Sequence, residues 1–527
     1  MRLIRSALAL AGVLGAGAVL AAPAPTPRPL SLSLPDRIGW GGSAPVADPR
    51  SWLRAQLNPP ADDGLPPDVQ ARIDAMDISR MPLAEIAAQV GEARQALQME
   101  RQMAQQTPAQ PQADAAQPRQ TPARRDYRQM LQAMGRETAE RELLRDIYSK
   151  NQLRETLTWF WFNHFNVSQR KGVIAAMVGD YEESAIRPHV LGKFRDLLMA
   201  TAFHPAMLQY LDNQQNAAGH INENFAREIM ELHTMGVGSG YTQKDVQELA
   251  RIFTGVGLNF GAEARPRAAQ NALRAGGGDI AFNPRRHDFG DKQFLGQTIK
   301  GSGADEARQA LLILSRQPAT ARFISRKLAQ FYCCDAPSDR LVGAMTATFL
   351  KTDGDIRAVL TTLFDAPDFT ASLGAKFKDP MHYAVSAVRA ATGETPVRNL
   401  TPVINWLNRM GEPLYGHETP DGYALTTDAW NGPGAMETRF EIAGAAGAGR
   451  PSLLLPEAAP AGRGGRGLMQ TAAPVAPPTP PPDLRASPYV QALLAAMGPA
   501  TQGALAKAAN PADWNMLFLS SPEFMYH

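Results

Sequence analysis

Apolar residues recur at helical spacing through most of the chain, and this periodicity constrains the fold more than any other feature of the sequence. Leu83, Ile86 and Val90, for example, would lie along one side of a helix. Prolines and an Asp-Gly turn separate five further predicted helices, at Asp305–Leu314, Thr320–Tyr332, Ser338–Leu350, Ile356–Phe364 and Lys378–Ala391. Alternating strand patterns are scarce. The sequence therefore predicts an all-α protein, a multi-helix globular domain with long Pro/Gly/Ala-rich loops.

Segments of biased composition delimit the N-terminal part of the chain. Residues 23–60 are proline-rich and predicted to be mostly irregular, whereas residues 61–103 form an N-terminal helical segment. Residues 104–123 contain only Ala, Gln, Pro, Thr, Asp and Arg. Because such residues have almost nothing to bury, this segment is predicted to be a disordered linker.

The main helical domain is predicted at residues 124–442, with a Gly/Ala/Arg-rich loop at 261–281. Residues 443–485 form a low-complexity insertion that is rich in Pro, Gly and Ala. Helical patterning returns in residues 486–527, and we expect these C-terminal helices to pack on the main domain.

The first 22 residues have the order of a secretory signal peptide. Arg2 and Arg5 precede an apolar run from Ala7 to Ala22, which ends in small residues ahead of Pro23. The run is short and glycine-rich for a membrane span, and no later stretch reaches the roughly 18 apolar residues of a transmembrane helix. We therefore expect residues 1–22 to be cleaved and the mature protein to be periplasmic or secreted, and not transmembrane. An uncleaved anchor is the alternative.

Charge and cysteine content argue against a protein held on nucleic acid by its overall charge and against a fold held together by disulfides. Lys and Arg number 53 and Asp and Glu 51, so the formal net charge is +2, which argues against a protein held on nucleic acid by a global basic field. The two cysteines, Cys333 and Cys334, are adjacent and cannot cross-link distant elements. Without a C-x-x-C spacing, two buried small side chains are favoured over a redox pair.

The densest polar stretch is a predicted helix from Asn222 to His233. One face of it carries Asn224, Arg227, Glu228 and Glu231. Arg227 is four residues from both Glu223 and Glu231, so two ion pairs are predicted along this face. His233 closes the helix, where its positive charge would suit the C-terminal dipole.

Two interpretations of this helix remain open. In the functional one, Glu228 and Glu231 act as catalytic acids or bases, or ligate a divalent metal together with His233 and His164. In the structural one, which we favour over a metal site, the same residues form an ion-paired surface or a buried network. A glycine loop follows the helix and predicts a tight reversal, after which Thr242 and Asp245 have the spacing of a capping box.

Other segments supply candidate groups. His287 and Asp288 form a second catalytic pair on a predicted loop that is free to face a ligand. Arg227 and Arg251 are candidates for binding an anionic substrate group, since a guanidinium binds carboxylate or phosphate at two points. The remaining candidates for substrate contact are Asn224, Asn163 and Trp430. The aromatic segment that includes Asn163 and His164 is expected to build core. The aromatics of the Pro420–Tyr423 turn and Trp430 are expected either to line a groove for sugar or peptide or to cover a core edge.

These segments together resemble a large uncharacterised bacterial family known as domain of unknown function 1800. The run from Glu223 to Gly255 is the most specific part of the resemblance. Supporting segments are Trp159–Asn166, Asp212–Asn213, Asn216, His287–Asp288, Lys327–Leu328, Pro420–Tyr423 and Ser521–Phe524. The resemblance implies an exported α-helical protein without an established activity. It also implies a sulfatase-like exported protein as a partner, because genes of the two families are often neighbours.

Two functions follow as hypotheses. The first is an exported metal-assisted or acid–base hydrolase or modifying enzyme that acts on a cell-envelope polymer, with a divalent metal as its cofactor in the metal-assisted form. The second is a non-catalytic periplasmic binding or assembly factor whose polar network is structural. The two differ in whether the acids and imidazoles of separate segments meet in one open pocket.

Overall fold

The computed structural model describes residues 28–106, 121–258, 280–449, 453–455 and 481–527. The predicted signal peptide lies outside these residues. So do most of the predicted linker, nearly all of the 261–281 loop and much of the 443–485 insertion.

The described chain is predominantly helical, as the apolar periodicity predicted. The N-terminal helices are α1 (Leu30–Ile38), α2 (Pro49–Leu57), α3 (Pro67–Asp74), α4 (Asp77–Arg80), α5 (Leu83–Gln106), α6 (Pro122–Tyr148) and α7 (Gln152–His164). A tightly wound region follows, made of a 3-10 turn (Gly172–Ala176), α8 (Val178–Asp180), a π-helical turn (Tyr181–Ile186) and a second 3-10 turn (Arg187–His189). Next come α9 (Phe194–Ala202), α10 (Pro205–Tyr210), α11 (Glu223–Glu231) and α12 (Gln243–Ile252).

The C-terminal half is also helical. It contains α13 (Asp305–Ser315), α14 (Pro318–Tyr332), α15 (Asp339–Lys351), α16 (Ile356–Phe364), α17 (Pro367–Ser372), α18 (Pro380–Thr392), α19 (Thr401–Arg409), α20 (Pro433–Gly447), α21 (Pro488–Ala495), α22 (Pro499–Leu505), α23 (Pro511–Leu519) and α24 (Pro522–Met525). The five helices predicted between residues 305 and 391 are confirmed within two residues at each end. No helix in the described ranges has both the length and the apolar character needed to cross a membrane.

Two helices, α1 and α2, lie in the segment that was predicted to be mostly irregular. The side chain of Asp48 caps α2 by accepting hydrogen bonds from the backbone N–H groups of Arg50 and Ser51. Pro49 occupies the first position of this helix, where a backbone N–H has no partner inside the helix. Pro29 and Pro49 therefore mark the starts of α1 and α2, although Pro35 lies inside α1, and composition alone did not reveal these helices.

Helix α7 forms the centre of the fold, because all of its residues except Arg154 are buried. Its aromatic side chains pack on several partners: the ring of Trp159 stacks on Phe331 at 5.5 Å, and Trp161 contacts Phe194 at 5.9 Å. The expectation that this aromatic segment builds core is confirmed. Polar side chains lie at both ends of the helix, where they contact other elements.

Two short antiparallel strand pairs interrupt the helices. The pairs are β1 (Val256–Leu258) with β2 (Ile280–Phe282), and β3 (Lys292–Phe294) with β4 (Gln297–Ile299). Leu295 and Gly296 both have positive φ, 47° and 76°, as in the two-residue turns that favour tight hairpins. Each strand has three residues, which is too short for an alternating pattern to be read in the sequence.

The cysteines are both free thiols just beyond the end of α14. Cys333 is buried and Cys334 is partly exposed, with their sulfur atoms 3.2 Å apart. The preferred interpretation of two buried side chains is therefore confirmed for Cys333 alone.

The helix caps predicted from the sequence are confirmed. Asp355 caps α16 by accepting from the N–H of Ala358. Thr242 and Asp245 form a reciprocal capping box at the start of α12, and Asp245 also accepts from the N–H of Leu295 in the β3–β4 turn. The glycines between α11 and α12 have positive φ and make the predicted reversal.

Replacing Thr242 by Ala should weaken the first turn of α12. Loss of an N-cap side chain costs about 1 kcal/mol, so amide exchange in this turn should become about fivefold faster. Hydrogen–deuterium exchange of peptides that cover α12 measures this effect. Thr242→Ser keeps the capping hydroxyl and should exchange like the wild type; equal acceleration in both variants would contradict the assignment of the cap.

Candidate functional site

The C-terminal end of α7 holds a long loop in place. Asn163 binds the backbone of Tyr423 twice: its Oδ1 accepts from the N–H at 2.6 Å and its Nδ2 donates to the carbonyl at 2.9 Å. Asn166 donates from Nδ2 to the carbonyls of His417 and Thr419, at 3.2 and 2.7 Å. We call the segment 411–426 the Asp421 loop. Asn163, predicted to contact substrate, instead fixes this loop.

Gly422 lets the Asp421 loop approach α7 closely. Its φ is +73°, and a Cβ at this position would lie 2.1 Å from the carbonyl oxygen of Asn163. No L-residue with a side chain fits there without moving the backbone. The loop therefore presents the preceding residue, Asp421, in a fixed position at the surface.

Asp421 is exposed and has partners within its own loop. One carboxylate oxygen accepts from the hydroxyl of Thr419 at 2.6 Å and lies 3.2 Å from Nε2 of His417. Burial tends to raise the pKa of Asp421, but the hydrogen bond from Thr419 and the contact with His417 outweigh it and lower the pKa. Asp421 is therefore a stable surface anion.

Glu228 lies on α11 in the neighbourhood of Asp421. It is half-buried and forms no hydrogen bond or ion pair with any residue that the structure describes. Burial raises its pKa first, the negative charges of Glu231 and Asp421 raise it further, and Arg227 opposes them. The carboxyl group of Glu228 therefore has a raised pKa and no hydrogen-bond donor among the described residues.

Lys327 on α14 lies within electrostatic range of Asp421. Its ammonium lies 5.7 Å from the ring centroid of Phe323 and forms no hydrogen bond or ion pair within the described chain. Burial lowers the pKa of Lys327 to about 8, although the charge of Asp421 opposes this. We call Glu228, Lys327 and Asp421 the Lys327 site, since Asp421 lies within electrostatic range of both Glu228 and Lys327.

Two neutral histidines lie behind Lys327. His164 and His233 are both buried, and Nε2 of His164 lies 3.1 Å from the carbonyl oxygen of His233. Burial, and then the charge of Lys327, lowers the pKa of His233 to about 3; burial also holds that of His164 well below its ordinary value. The predicted positive charge of His233 at the helix end is therefore wrong, because the imidazole has no access to water.

The four tentative metal ligands, Glu228, Glu231, His233 and His164, do not converge. Among the described residues, no group of three or more His, Cys, Asp or Glu side chains is arranged to hold a metal ion. Glu231 is instead engaged by Tyr241, whose hydroxyl donates to Oε1 at 2.7 Å. Of the two glutamates, Glu228 is thus the one that no described donor holds.

Arg227 forms the two ion pairs predicted from its spacing. Its guanidinium lies 3.0 Å from Glu223 and 3.3 Å from Glu231, and it also donates to Gln243 at 2.9 Å. Because these partners occupy its N–H groups, Arg227 has little capacity left for the anionic substrate group proposed from the sequence.

His287 does not face a ligand as the sequence suggested. It is buried, with Nε2 2.9 Å from Oε1 of Glu306 and Nδ1 2.7 Å from the carbonyl oxygen of Thr254. The other oxygen of Glu306 binds the ammonium of Lys292, and the side chains of His287, Glu306 and Lys292 have no solvent exposure. His287 thus belongs to a closed structural network, since each of its ring nitrogens already has a partner.

Asp288 and Arg251 pair with each other. Nε of Arg251 donates to Asp288 at 2.8 Å, and Nη1 donates to Glu248 at 2.8 Å. The hydrogen bond from Arg251 is the main reason why the pKa of Asp288 falls to about 2. These two residues anchor the segment before β3 to α12, and neither lies in the Lys327 site.

Asn224 and Trp430 also have structural partners. Nδ2 of Asn224 donates to the carbonyl of Leu211 at 3.2 Å. Trp430 is buried, its indole N–H donates to the carbonyl of Ala424 at 3.0 Å, and its ring lies 6.2 Å from that of Tyr423. Of the two interpretations of this segment, covering a core edge is the one that the structure supports.

A small cavity lies beneath the Asp421 loop. Its volume is about 20 Å³, enough for one water molecule, and its walls include Asn163, Glu142, Glu182 and Glu412. Neither carboxyl oxygen of Glu142 has a hydrogen-bond partner among the described residues. Burial holds the pKa of Glu142 and of Glu412 well above the ordinary value, which favours the neutral form of both acids.

Sequence reasoning from residue types missed Lys327 and Asp421. Both lie in segments that carry the family resemblance, and no spacing rule connects them to Glu228. Lys327 lies on a helix whose pattern is otherwise that of a core helix, and its perturbed environment exists only in the folded chain.

Comparison with known protein families identifies the family to which the chain is similar. The family described as "Protein of unknown function (DUF1800)" matches residues 35–526, nearly the whole chain. No curated protein and no solved structure matches the chain.

Replacing Glu306 by Gln should strongly destabilise the protein. The change leaves the buried charge of Lys292 without a carboxylate, and breaking a buried pair in this way costs about 3–5 kcal/mol. The free energy of unfolding in urea measures the loss. Asp291→Asn is the matched control, because it disrupts the pair with exposed Lys300 and should leave stability unchanged. Similar losses in the two variants would contradict the closed network.

Acylation of Lys327 by an amine-reactive ester should reach half of its maximum near pH 8, the pKa set by its surroundings. Asp421→Asn should move this midpoint to lower pH, because it removes an anion that favours the ammonium. Mass spectrometry of the modified peptide gives the profile. Glu418→Gln, an exposed neighbour paired with Arg170, is the control. A midpoint near the ordinary lysine value of about 10.4 would overturn the assignment.

Proposed function

The chain belongs to this family, whose description assigns no activity, and we propose from its own side chains that it is an exported acid–base enzyme acting on a cell-envelope polymer. One observation carries the proposal. Asp421 lies within electrostatic range of both Glu228 and Lys327, neither of which is bound by another described residue, and the pKa of Glu228 is raised whereas that of Lys327 is lowered. Strongly perturbed groups that the fold leaves unpaired are typical of catalytic sites.

The two groups have complementary roles at neutral pH. Glu228, whose pKa is raised, serves as the general base that takes a proton from water or from a substrate hydroxyl. Lys327 is mainly an ammonium and serves as the general acid, since a pKa of about 8 lets it give its proton to a leaving group. Asp421, the exposed anion of the site, favours the charged form of Lys327.

The exposure of the site suits an extended substrate. Asp421 is at the surface, and Glu228 and Lys327 are each half-buried rather than enclosed. A polymer strand can reach such groups without passing into a cavity. The order of Arg2, Arg5 and the apolar run to Ala22 supports export, which would bring the chain to an envelope polymer.

A second candidate function, a non-catalytic periplasmic binding or assembly factor, is favoured by one specific observation. Arg227, Arg251, His287 and Asp288 are all engaged in ion pairs or hydrogen bonds within the protein. If these networks account for the polar segments, the protein's role is to bind a partner. The sulfatase-like exported protein suggested by the resemblance is the partner to test, by co-purification.

Glu228→Gln and Lys327→Met should each lower the release of soluble fragments from isolated envelope polymer by about 100-fold or more, since each variant lacks one proton-transfer group. Chromatography with mass spectrometry of the released fragments measures the rate. Glu223→Gln is the matched control, because Glu223 lies on the same helix but is paired with Arg227 and Gln243. It should retain activity.

The pH profile and chelation complete this test. Activity should rise as Glu228 ionises and fall as Lys327 loses its proton near pH 8, and EDTA should not reduce it. Wild-type release no faster than that of Glu228→Gln would contradict the proposal. Loss of activity on chelation would contradict the acid–base form in favour of the metal-assisted one.

A further inference from the structure

A second pocket lies at the opposite end of α7 from the Asp421 loop. Its volume is about 430 Å³, within the usual range for small-ligand sites. Its charged walls come from Asp63, Arg145, Arg154, Glu183, Arg187 and Arg357. These residues lie far apart in the sequence, and none of them was a candidate from the sequence.

We infer that this pocket binds a ligand that carries an oxyanion group, such as a carboxylate, phosphate or sulfate. We call it the arginine pocket. The juxtaposition of four guanidinium groups around one hollow carries the inference, because planar guanidinium groups bind such anions at two points. The site is independent of the proposed function at Lys327. Arg154 and Asn163 are nine residues apart on α7, which corresponds to about 14 Å.

The carboxylates of the pocket do not neutralise its arginines. Arg154 and Arg187 share the carboxylate of Asp63, each at 2.8 Å. Arg187 also binds Glu155, with distances of 2.5 and 2.7 Å, and Arg145 pairs with Glu183. The four guanidinium groups therefore face three carboxylates, those of Asp63, Glu155 and Glu183.

The excess positive charge resides on Arg357. Its Nε donates to the carbonyl of Leu57 at 2.7 Å, and it forms no ion pair with a described residue. Arg357 lies at the exposed rim, whereas Arg187 is buried among its partners. An incoming anion would thus meet a guanidinium that is already oriented by its Nε and still has donors to offer.

The lowered pKa of Glu183 indicates a positive potential around the pocket. Burial alone would raise the pKa of Glu183, but Arg145 and then Arg141 outweigh it and lower the pKa to about 2. Burial holds the pKa of the nearby acid Glu142 well above its ordinary value, which disfavours an opposing negative charge at that position. Charges that stabilise the carboxylate form of Glu183 also favour the binding of an oxyanion in the pocket.

The remaining walls suit a ligand with a carbon frame. Pro188, Val190 and Leu191 line one side of the pocket and present apolar surface beside the charged groups. Ligand sites commonly combine an apolar wall with a few polar groups that fix orientation. The class of ligand is therefore a small organic acid or a phosphate or sulfate ester, rather than a bare metal ion.

Isothermal titration calorimetry of the purified protein with phosphate, sulfate and citrate at low ionic strength tests this inference. At least one probe should bind saturably, and the three arms distinguish phosphate, sulfate and carboxylate recognition. Arg357→Ala should weaken binding by about tenfold or more, because it removes a charged donor. Arg322→Ala, which disrupts a surface pair with Asp339, is the matched control and should bind like the wild type.

A second variant tests the pocket without removing an arginine. Ala61 is exposed on the pocket wall, and Ala61→Asp should abolish binding by adding a negative charge. Lys327→Met should bind the probes normally, which separates this site from the proposed catalytic one. Absence of saturable binding to all three probes, or equal affinity in the wild type and Arg357→Ala, would overturn the inference.

Discussion

The burial of α7 is the constraint on which the rest of the structure depends. A polar group that leaves water must find a partner inside the protein, and α7 carries polar side chains at both ends of a fully enclosed helix. At one end, Glu155 receives two hydrogen bonds from Arg187, and this pair shapes the arginine pocket. At the other end, Asn163 and the nearby Asn166 satisfy their amides with the backbone of the Asp421 loop. Both candidate sites are thus consequences of how the ends of one buried helix satisfy their hydrogen bonds.

Pairing decides which charged residues remain free to react. Glu228 and Glu231 lie on the same face of α11, yet their surroundings differ because Tyr241 and Arg227 both donate to Glu231. Glu228 receives no such donor, so desolvation and the charges of Glu231 and Asp421 raise its pKa, and only the charge of Arg227 opposes them. Asp288 and Asp421 differ in where their donors lie. Arg251, on another element, binds Asp288, whereas the donors of Asp421 lie within its own loop. A sequence-based count of acids on one face could not distinguish these cases, since the donors come from other elements.

Local signals predicted much of the fold. The capping box of Thr242 and the cap at Asp355 depend on residues three positions apart, and both were predictable from the sequence. The partner of His287 was not, because Glu306 lies 19 residues away and beyond a strand pair. The position of Lys327 depends still more on tertiary structure, since α11, α14 and the Asp421 loop must all pack before its environment exists. Sequence reasoning therefore predicted helices, caps and the ion pairs within α11, and failed where a partner came from elsewhere in the chain.

A perturbed pKa alone does not identify a reactive lysine, as the comparison of Lys327 with Lys378 illustrates. Burial lowers the pKa of both to about 8. Lys378, however, is fully enclosed: its ammonium donates to the hydroxyl of Ser386 at 3.1 Å and lies 4.2 Å from the ring centroid of Phe524. No substrate can reach Lys378 without local unfolding, so its lowered pKa is a consequence of burial in the core. Lys327 combines the same shift with access to solvent and an acidic neighbour, and this combination, rather than the pKa, makes it the better candidate for chemistry.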